Sequence, residues 1–227
     1  MMEAELIRYL ETFVTERRKR LFRKVLADRT RYLSVIVEEI YQPHNASAVL
    51  RTCECLGIQD VHILEGRNRY QINPDIALGA SKWLTLHKHD LRKTSHQVIF
   101  SKLKESGYRI VATVPDAKAT EIDKFNLEKG KSALLFGSEL TGISEESLAF
   151  ADEFITIPMY GFTESYNISV SAALCLYTLV QKLRTTKIAW KLTEDEQEWL
   201  YLSWLKNSIK SAEEIIEYWN HKHHKSS

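Results

Sequence analysis

Cysteine is scarce in this 227-residue chain: three residues, at Cys53, Cys55 and Cys175. An odd number at those spacings matches neither a secreted disulfide framework nor a zinc site. Cys53 and Cys55, two apart in a helical segment, point to different sides, and the three read as buried thiols. No run of about 18 apolar residues occurs, which excludes a membrane-spanning helix. The first residues, up to Arg20, mix acids and bases where a secretory signal needs an apolar core. A soluble cytoplasmic protein is expected. Also absent are a G-x-G-x-x-G turn after a first strand and a G-x-x-x-x-G-K-[ST] loop. Their absence removes the commonest dinucleotide, Rossmann methyltransferase and P-loop sites. There is no internal repeat and no low-complexity linker, and the short tail from His221 to Ser227 is expected to be disordered. Its histidines lack partners for a metal site, so no metal is expected.

Excess charge of one sign is lacking as well, the net being +1. That average hides an asymmetry. From Glu16 to Arg31 stand eight bases (Arg17, Arg18, Lys19, Arg20, Arg23, Lys24, Arg29 and Arg31) against Glu16 and Asp28, a net +6 that leaves the remainder at −5. One concentrated basic stripe on a neutral protein suits a phosphate-rich partner gripped locally. A solvated helix face explains an isolated charge run equally well.

With 44% hydrophobic residues, the chain can fill one sizeable core with extensions. Met2 to Leu26 carries apolar residues at helical spacing, in one helix or two. Tyr32 to Ile40 reads as a strand, and Gln42-Pro43-His44 breaks it. Asn45 then caps a helix that runs to Leu56 and stops at Gly57. Asp60 to Leu64, Arg109 to Val114, Ser132 to Phe136 and Phe154 to Ile157 follow as strands, with helices from Gln97 to Ser106 and from Asn167 to Leu183. Alternating strands and helices with short buried apolar runs give an α/β domain over residues 30–188, its mainly parallel sheet covered by helices on both faces. Residues 1–29 form a basic helical extension and 189–227 a second one. In the latter, Thr193 and Glu196 make a capping box opening a helix that reaches Trp219.

Ligands of open parallel sheets bind at the carboxyl ends of strands, where helix N-termini and loops collect. Two loops there stand out. Gly137-Ser138-Glu139-Leu140-Thr141-Gly142-Ile143-Ser144 combines glycines, which allow close backbone approach, with a carboxylate. Ile157 to Asn167 ends in Ser165, Asn167 and Ser169, more polar groups than capping one helix requires. In the helix from Asn45 to Leu56, Ala46, Val49, Leu50 and Cys53 share one face, and Arg51 falls about 140° away from it at 100° per residue. Arg51 therefore points outward, where a guanidinium can fork to a phosphate.

Taken in order, Asn45-Ala46-Ser47-Ala48-Val49-Leu50-Arg51-Thr52, then Leu134-Leu135-Phe136-Gly137-Ser138-Glu139 with Gly142-Ile143-Ser144, then Ile157-Pro158-Met159-Tyr160-Gly161 with Ser165-Tyr166-Asn167-Ile168-Ser169-Val170, closely resemble the motifs of the SPOUT superfamily. Within it, they resemble the TrmH/SpoU family of RNA ribose 2'-O-methyltransferases. The resemblance implies a trefoil knot in the C-terminal half of the sheet domain, a fold no pattern of hydrophobicity would suggest. It implies S-adenosyl-L-methionine as methyl donor, bound by Thr113, Gly137, Ile157, Met159, Tyr166, Asn167 and Ile168. Arg51 would be the central catalytic residue, with Asn45, Glu139, Ser165 and Asn167 shaping the site. Arg51 could act as base with help from an RNA phosphate, or position that phosphate and stabilise the developing oxyanion. A homodimer is implied, with the helix from Ile168 to Leu183 a candidate interface.

Gly79-Ala80-Ser81-Lys82-Trp83 with His87-Lys88-His89 is similar to the members that methylate guanosine 18 in the tRNA D-loop, which makes tRNA the expected partner. Arg17, Arg18, Lys19, Arg20, Arg23, Lys24 and Arg51 are then the candidate RNA contacts. Methylation of ribosomal RNA is the neighbouring alternative, although the extension before the first strand is short for a separate RNA-binding domain. A non-catalytic RNA-binding factor of the same fold is the other. Leu140, where several relatives carry a base, and Tyr166, bulkier than the usual aliphatic, depart from the pattern.

Overall fold

A computed structural model describes residues 2–66, 73 and 77–224. The chain divides into two compact units, one of Thr30–Trp190 and the other of the residues up to Arg29 together with those from Lys191 onward.

The larger unit is built on a seven-stranded sheet in which every pairing is parallel. Its strands are β1 (Leu33–Glu38), β2 (Asp60–Glu65), β3 (Thr85–Asp90), β4 (Arg109–Thr113), β5 (Thr120–Glu121), β6 (Ser132–Phe136) and β7 (Glu153–Thr156), in the order β3-β2-β1-β6-β4-β7-β5. β1 and β6 lie side by side and are buried along their whole lengths, as expected of strands covered on both faces. One face carries Leu33, Val35 and Val37 of β1 against α3 (Pro43–Leu56) and α6 (Ile168–Arg184). The other carries Ile36, Leu64, Ile110 and Leu135 against Ile99, Phe100 and Leu103 of α4 (His96–Glu105).

α3 is capped three residues earlier than its sequence suggests. Pro43 occupies the first turn, Gln42 is the N-cap without a side-chain cap bond, and Asn45 lies inside the helix with its amide turned elsewhere. Proline is preorganised for that position and has no N–H to leave unpaired. The C-terminal end is as anticipated, with Gly57 left-handed at φ 81°. Ala46, Val49, Leu50 and Cys53 are buried, Arg51 is exposed, and Cys55 is exposed rather than buried. β3 was not anticipated. It is an edge strand whose partly buried Thr-Leu-His-Lys-His-Asp run offers little apolar alternation.

The smaller unit consists of α1 (Met2–Glu11), α2 (Glu16–Leu26), α7 (Glu194–Ser208) and α8 (Ala212–His224). Phe22 meets Tyr201 and Trp204 edge-on, and the buried Arg29 guanidinium lies over the Trp204 ring at 5.3 Å. The capping box of Thr193 and Glu196 is present. The helix it opens stops at Ser208 instead of reaching Trp219, because the backbone leaves helical geometry at Ile209 and Ser211 turns left-handed at φ 57°. The tail is helical up to His224, and the remaining tail residues fall outside the described part.

At the sheet edge His62 of β2 stacks on His87 with ring centroids 4.3 Å apart, and its Nδ1 lies 3.2 Å from Nε2 of His89. Burial, reinforced by the two neighbouring imidazoles and opposed by Asp60, lowers the His62 pKa to about 3. The unfolded chain therefore binds a proton below about pH 6.5 that the folded chain refuses, so stability is full above that pH and declines on acidification. Between about pH 7.5 and 5, urea unfolding is expected to lose about 2 kcal/mol from this group. His62→Leu should flatten that pH dependence; an unchanged slope in the variant would contradict the assignment.

Candidate active site

The carboxyl ends of β4, β6 and β7 open onto a cavity of about 470 Å³. Its apolar walls include Phe136, Ile143, Leu148 and Ile155, and its polar rim is the turn from Gly137 to Gly142. That turn closes on itself through Ser138 N–H donating to Gly142 O at 2.9 Å and Gly142 N–H donating to Ser138 O at 3.0 Å. A Cβ on residue 137 would stand 2.1 Å from the backbone of Gly142 and Ile143, so only glycine fits. The volume lies within the range of about 300–1,000 Å³ that small-molecule sites occupy. Cys175 lines the floor, and burial pushes its thiol up to about 12, keeping it neutral.

A carboxylate that sequence reading missed holds the far end of this turn. Glu38, the last residue of β1 and nearly inaccessible, accepts hydrogen bonds from Ser144 N–H at 3.0 Å, Ser144 Oγ at 2.6 Å and Ser147 Oγ at 2.7 Å, and lies 3.3 Å from His96 Nε2. Ser144 also caps α5 (Glu145–Leu148), accepting from Ser147 N–H. The only clue in the sequence was an acid at the end of an otherwise apolar strand.

The anticipated polar residues gather beside the cavity. Asn45 Nδ2 donates to Glu139 Oε1 at 2.6 Å, Tyr41 N–H donates to Glu139 Oε2 at 3.3 Å, and Asn167 Nδ2 donates to Asn45 Oδ1 at 3.3 Å. Asn167 in turn is the N-cap of α6, its Oδ1 accepting from Ser169 N–H and Oγ. One chain of hydrogen bonds thus joins α3, the turn after β6 and the start of α6. Glu139 and Ser165 face the cavity, as do Thr113, Gly137, Ile157, Met159, Tyr166 and Ile168. Asn167 touches that set through Asn45 and is not itself in the lining.

Arg51 stands apart. It lines a second, shallower hollow with Ala48, Thr52, Cys55 and Leu56 of α3 and with Ala173 and Tyr177 of α6. Of the basic stripe, Arg17, Arg18, Arg20, Arg23 and Lys24 are exposed on α2, and Lys19 is held by Glu16 at 2.6 Å. Arg29 and Arg31 do not belong to that face. Arg29 is buried over Trp204, and Arg31 Nε pairs with Asp60 at 2.9 Å. Among the described residues no group of three or more His, Cys, Asp or Glu side chains is arranged to hold a metal, and no helix is long and apolar enough to cross a membrane.

A parallel sheet with a glycine-lined cavity at its carboxyl end and an amide–carboxylate network beside it marks an α/β protein with a small-molecule site. The pattern of the SpoU rRNA Methylase family matches residues 32–177, and the chain belongs to that family. It is 42% identical over 206 residues to the tRNA (guanosine(18)-2'-O)-methyltransferase of Borreliella burgdorferi, covering 91% of this chain and 92% of that protein. The crystal structure of the Aquifex aeolicus TrmH/SpoU tRNA modifying enzyme superposes with a TM-score of 0.75 at 30% identity, over 86% of this chain and 98% of that one. The SpoU methyltransferase AviRb from Streptomyces viridochromogenes, in complex with the cofactor AdoMet, gives 0.56 at 19% identity, over 72% and 62%.

Glu38→Ala should lower the unfolding free energy by about 3 kcal/mol, given about 1–3 kcal/mol for each buried donor left unmatched. Glu38→Gln, which keeps one acceptor oxygen, should fall between. A loss in Glu38→Ala below about 1 kcal/mol in urea titrations would show that these bonds are replaceable by water.

Proposed function

We propose that this chain transfers a methyl group from S-adenosyl-L-methionine to the 2'-hydroxyl of guanosine 18 in the tRNA D-loop. The observation that carries this reading is the extent of the match to the Borreliella enzyme, which runs over 91% of the chain and so beyond the family's own residues 32–177. Likeness confined to the sheet domain would fit any RNA target of the family; likeness that includes the terminal helices favours the tRNA subtype.

The cavity suits the donor. Its apolar walls accept a nucleoside, and the backbone of the Gly137–Gly142 turn offers hydrogen-bonding groups at close range. Thr113, Gly137, Ile157, Met159, Tyr166, Asn167 and Ile168 are the residues assigned to hold it. Bound there, S-adenosyl-L-methionine supplies an electrophilic methyl group on a sulfonium. The chain's own task is to present a ribose hydroxyl in line with that methyl, excluding the many unreactive poses. Glu139, fixed by Asn45 and the Tyr41 N–H, provides an acceptor that orients the hydroxyl and receives its proton as the oxygen–methyl bond forms and the methyl–sulfur bond breaks, and Ser165 completes the rim. Arg51 is a donor only. Its role is to fork to the phosphate beside the target ribose and to offset the negative charge that develops on the 2'-oxygen.

Arg51 faces α6, where Val170, Leu174 and Tyr177 form an exposed apolar stripe. That stripe supports a homodimer in which the Arg51 hollow and the cavity of two copies combine into complete sites. We also assign a trefoil knot to the segment after β6, in keeping with the family. Residues 30–188 are the methyltransferase domain, and the extensions 1–29 and 189–227 flank it in the chain, the former gripping RNA through Arg17, Arg18, Lys19, Arg20, Arg23 and Lys24. A tRNA substrate supports a cytoplasmic location.

Incubation with labelled S-adenosyl-L-methionine and separate tRNA and ribosomal RNA pools, followed by nucleotide mapping, tests the reading. Label at guanosine 18 of tRNA is expected; label in ribosomal RNA alone, or none, would overturn it. Arg51→Ala should reduce transfer by about 100-fold or more, the scale of a missing transition-state charge donor, while cofactor affinity stays within about twofold; retained turnover would refute its role. Neutralising Arg17, Arg18, Lys19 and Arg20 together should flatten the salt dependence of tRNA binding, by about 0.7–0.9 in the logarithmic slope for each phosphate no longer neutralised. An unchanged slope would return α2 to an ordinary solvated face.

A further inference from the structure

The loop after β7 alternates in what it does with its side chains. Met159, Ser165 and Tyr166 turn into the cavity, whereas Tyr160 and Phe162 between them are 97% and 107% exposed. Across the cavity mouth Leu140, at the tip of the Gly137–Gly142 turn, is 83% exposed while still lining the opening. Single exposed apolar residues are ordinary, but two fully exposed aromatic rings on a loop whose Met159, Ser165 and Tyr166 line the cavity, with an exposed leucine in the same lining, are more than the core requires. A cation stands with them. The Lys124 ammonium, held by Glu121 at 2.9 Å, lies within electrostatic range of the Tyr160 hydroxyl.

Resting on the methyl-transfer reading above, the chemistry of the substrate says what such a rim meets. A ribose hydroxyl reaches a donor sunk in a protein cavity only if its nucleotide, or the neighbour, is drawn out of the RNA stack, and the freed base loses its stacking partner. Aromatic side chains restore that stacking without regard to base identity, and a nearby lysine suits the phosphate that joins the displaced nucleotides. We infer that Tyr160 and Phe162, backed by Leu140, form a stacking platform for an unpaired nucleobase drawn from the RNA loop beside the methylated ribose. The platform is apolar and sequence-tolerant, so it supplies affinity and splaying of the loop and leaves base identity to be read elsewhere.

The full-length protein carrying Tyr160→Ala and Phe162→Ala together, tested with an unmodified tRNA transcript bearing 2-aminopurine beside the target nucleotide, decides the matter. The dissociation constant should rise about 5- to 150-fold, the scale of one base–aromatic stack. The fluorescence quenching that wild type produces on binding should vanish, and S-adenosyl-L-methionine affinity should not change. The salt slope should also be preserved, since no charge is removed, which separates this loss from that of the α2 stripe. Tyr160→Phe with Phe162→Trp, which keeps the ring faces, should retain both affinity and quenching. A dissociation constant within about twofold of wild type, a parallel loss of cofactor affinity, or a shift of the double alanine variant to a smaller assembly on gel filtration would each overturn the platform. Wild type that quenches the probe but methylates a different nucleotide overturns the guanosine 18 reading and leaves the platform standing. Wild type that methylates guanosine 18 without quenching overturns the platform alone.

Discussion

The hydrogen bond from Asn45 to Glu139, 2.6 Å long between residues 94 positions apart in the chain, holds together the parts on which the site depends. Asn45 is 3% exposed, and the amide of Asn167 closes on its remaining oxygen. The bond matters most to Asn45, because a buried amide left without its partner costs about 1–3 kcal/mol, whereas Glu139 is only partly buried. The turn after β6, the first turn of α3 and the N-terminus of α6 are thereby registered to one another, and the cavity between them gains a fixed shape.

Glu38 does for the back of the turn what Glu139 does for the front. One carboxylate fixes Ser144 and Ser147, the other fixes Asn45 at the rim, and the turn they anchor begins at Gly137, where any side chain would collide with backbone. Such a loop is determined at both ends and has little freedom in the middle. That is the condition for transfer chemistry that depends on aligning a hydroxyl with a methyl group, since misplacement of about 1 Å can cost 100-fold.

Much of this was legible in the residues. Buried parallel strands announce themselves as short apolar runs, and β1 and β6 did; the helical period set Arg51 outward, and it is exposed. Glu139, Ser165 and Asn167 stood out as polar groups in loops at the strand ends, but their roles in a site came only from the resemblance to a family; of these the cap role of Asn167 alone follows from local rules. What stayed hidden has physical reasons. β3 lies at an edge, so selection for apolar alternation is weak there and polar histidines replace it. Asn45 looked like a cap because local rules cannot see a partner far along the chain. Glu38 looked like the ordinary polar end of a strand, and its four partner groups come from more than 50 residues away. The break between α7 and α8 falls at a serine with φ 57°, a conformation usually marked by glycine.

If Asn45 and Glu139 act as a unit, a double-mutant cycle on methyl transfer shows it most directly. Asn45→Ala, Glu139→Gln and the double variant would be compared in kcat/KM with tRNA and S-adenosyl-L-methionine. Residues of one network are non-additive, so each single change should remove nearly all of what the pair contributes, and the double variant should be little worse than either, with a coupling of about 1–3 kcal/mol. Additive losses, with a coupling below about 0.5 kcal/mol, would contradict a shared role.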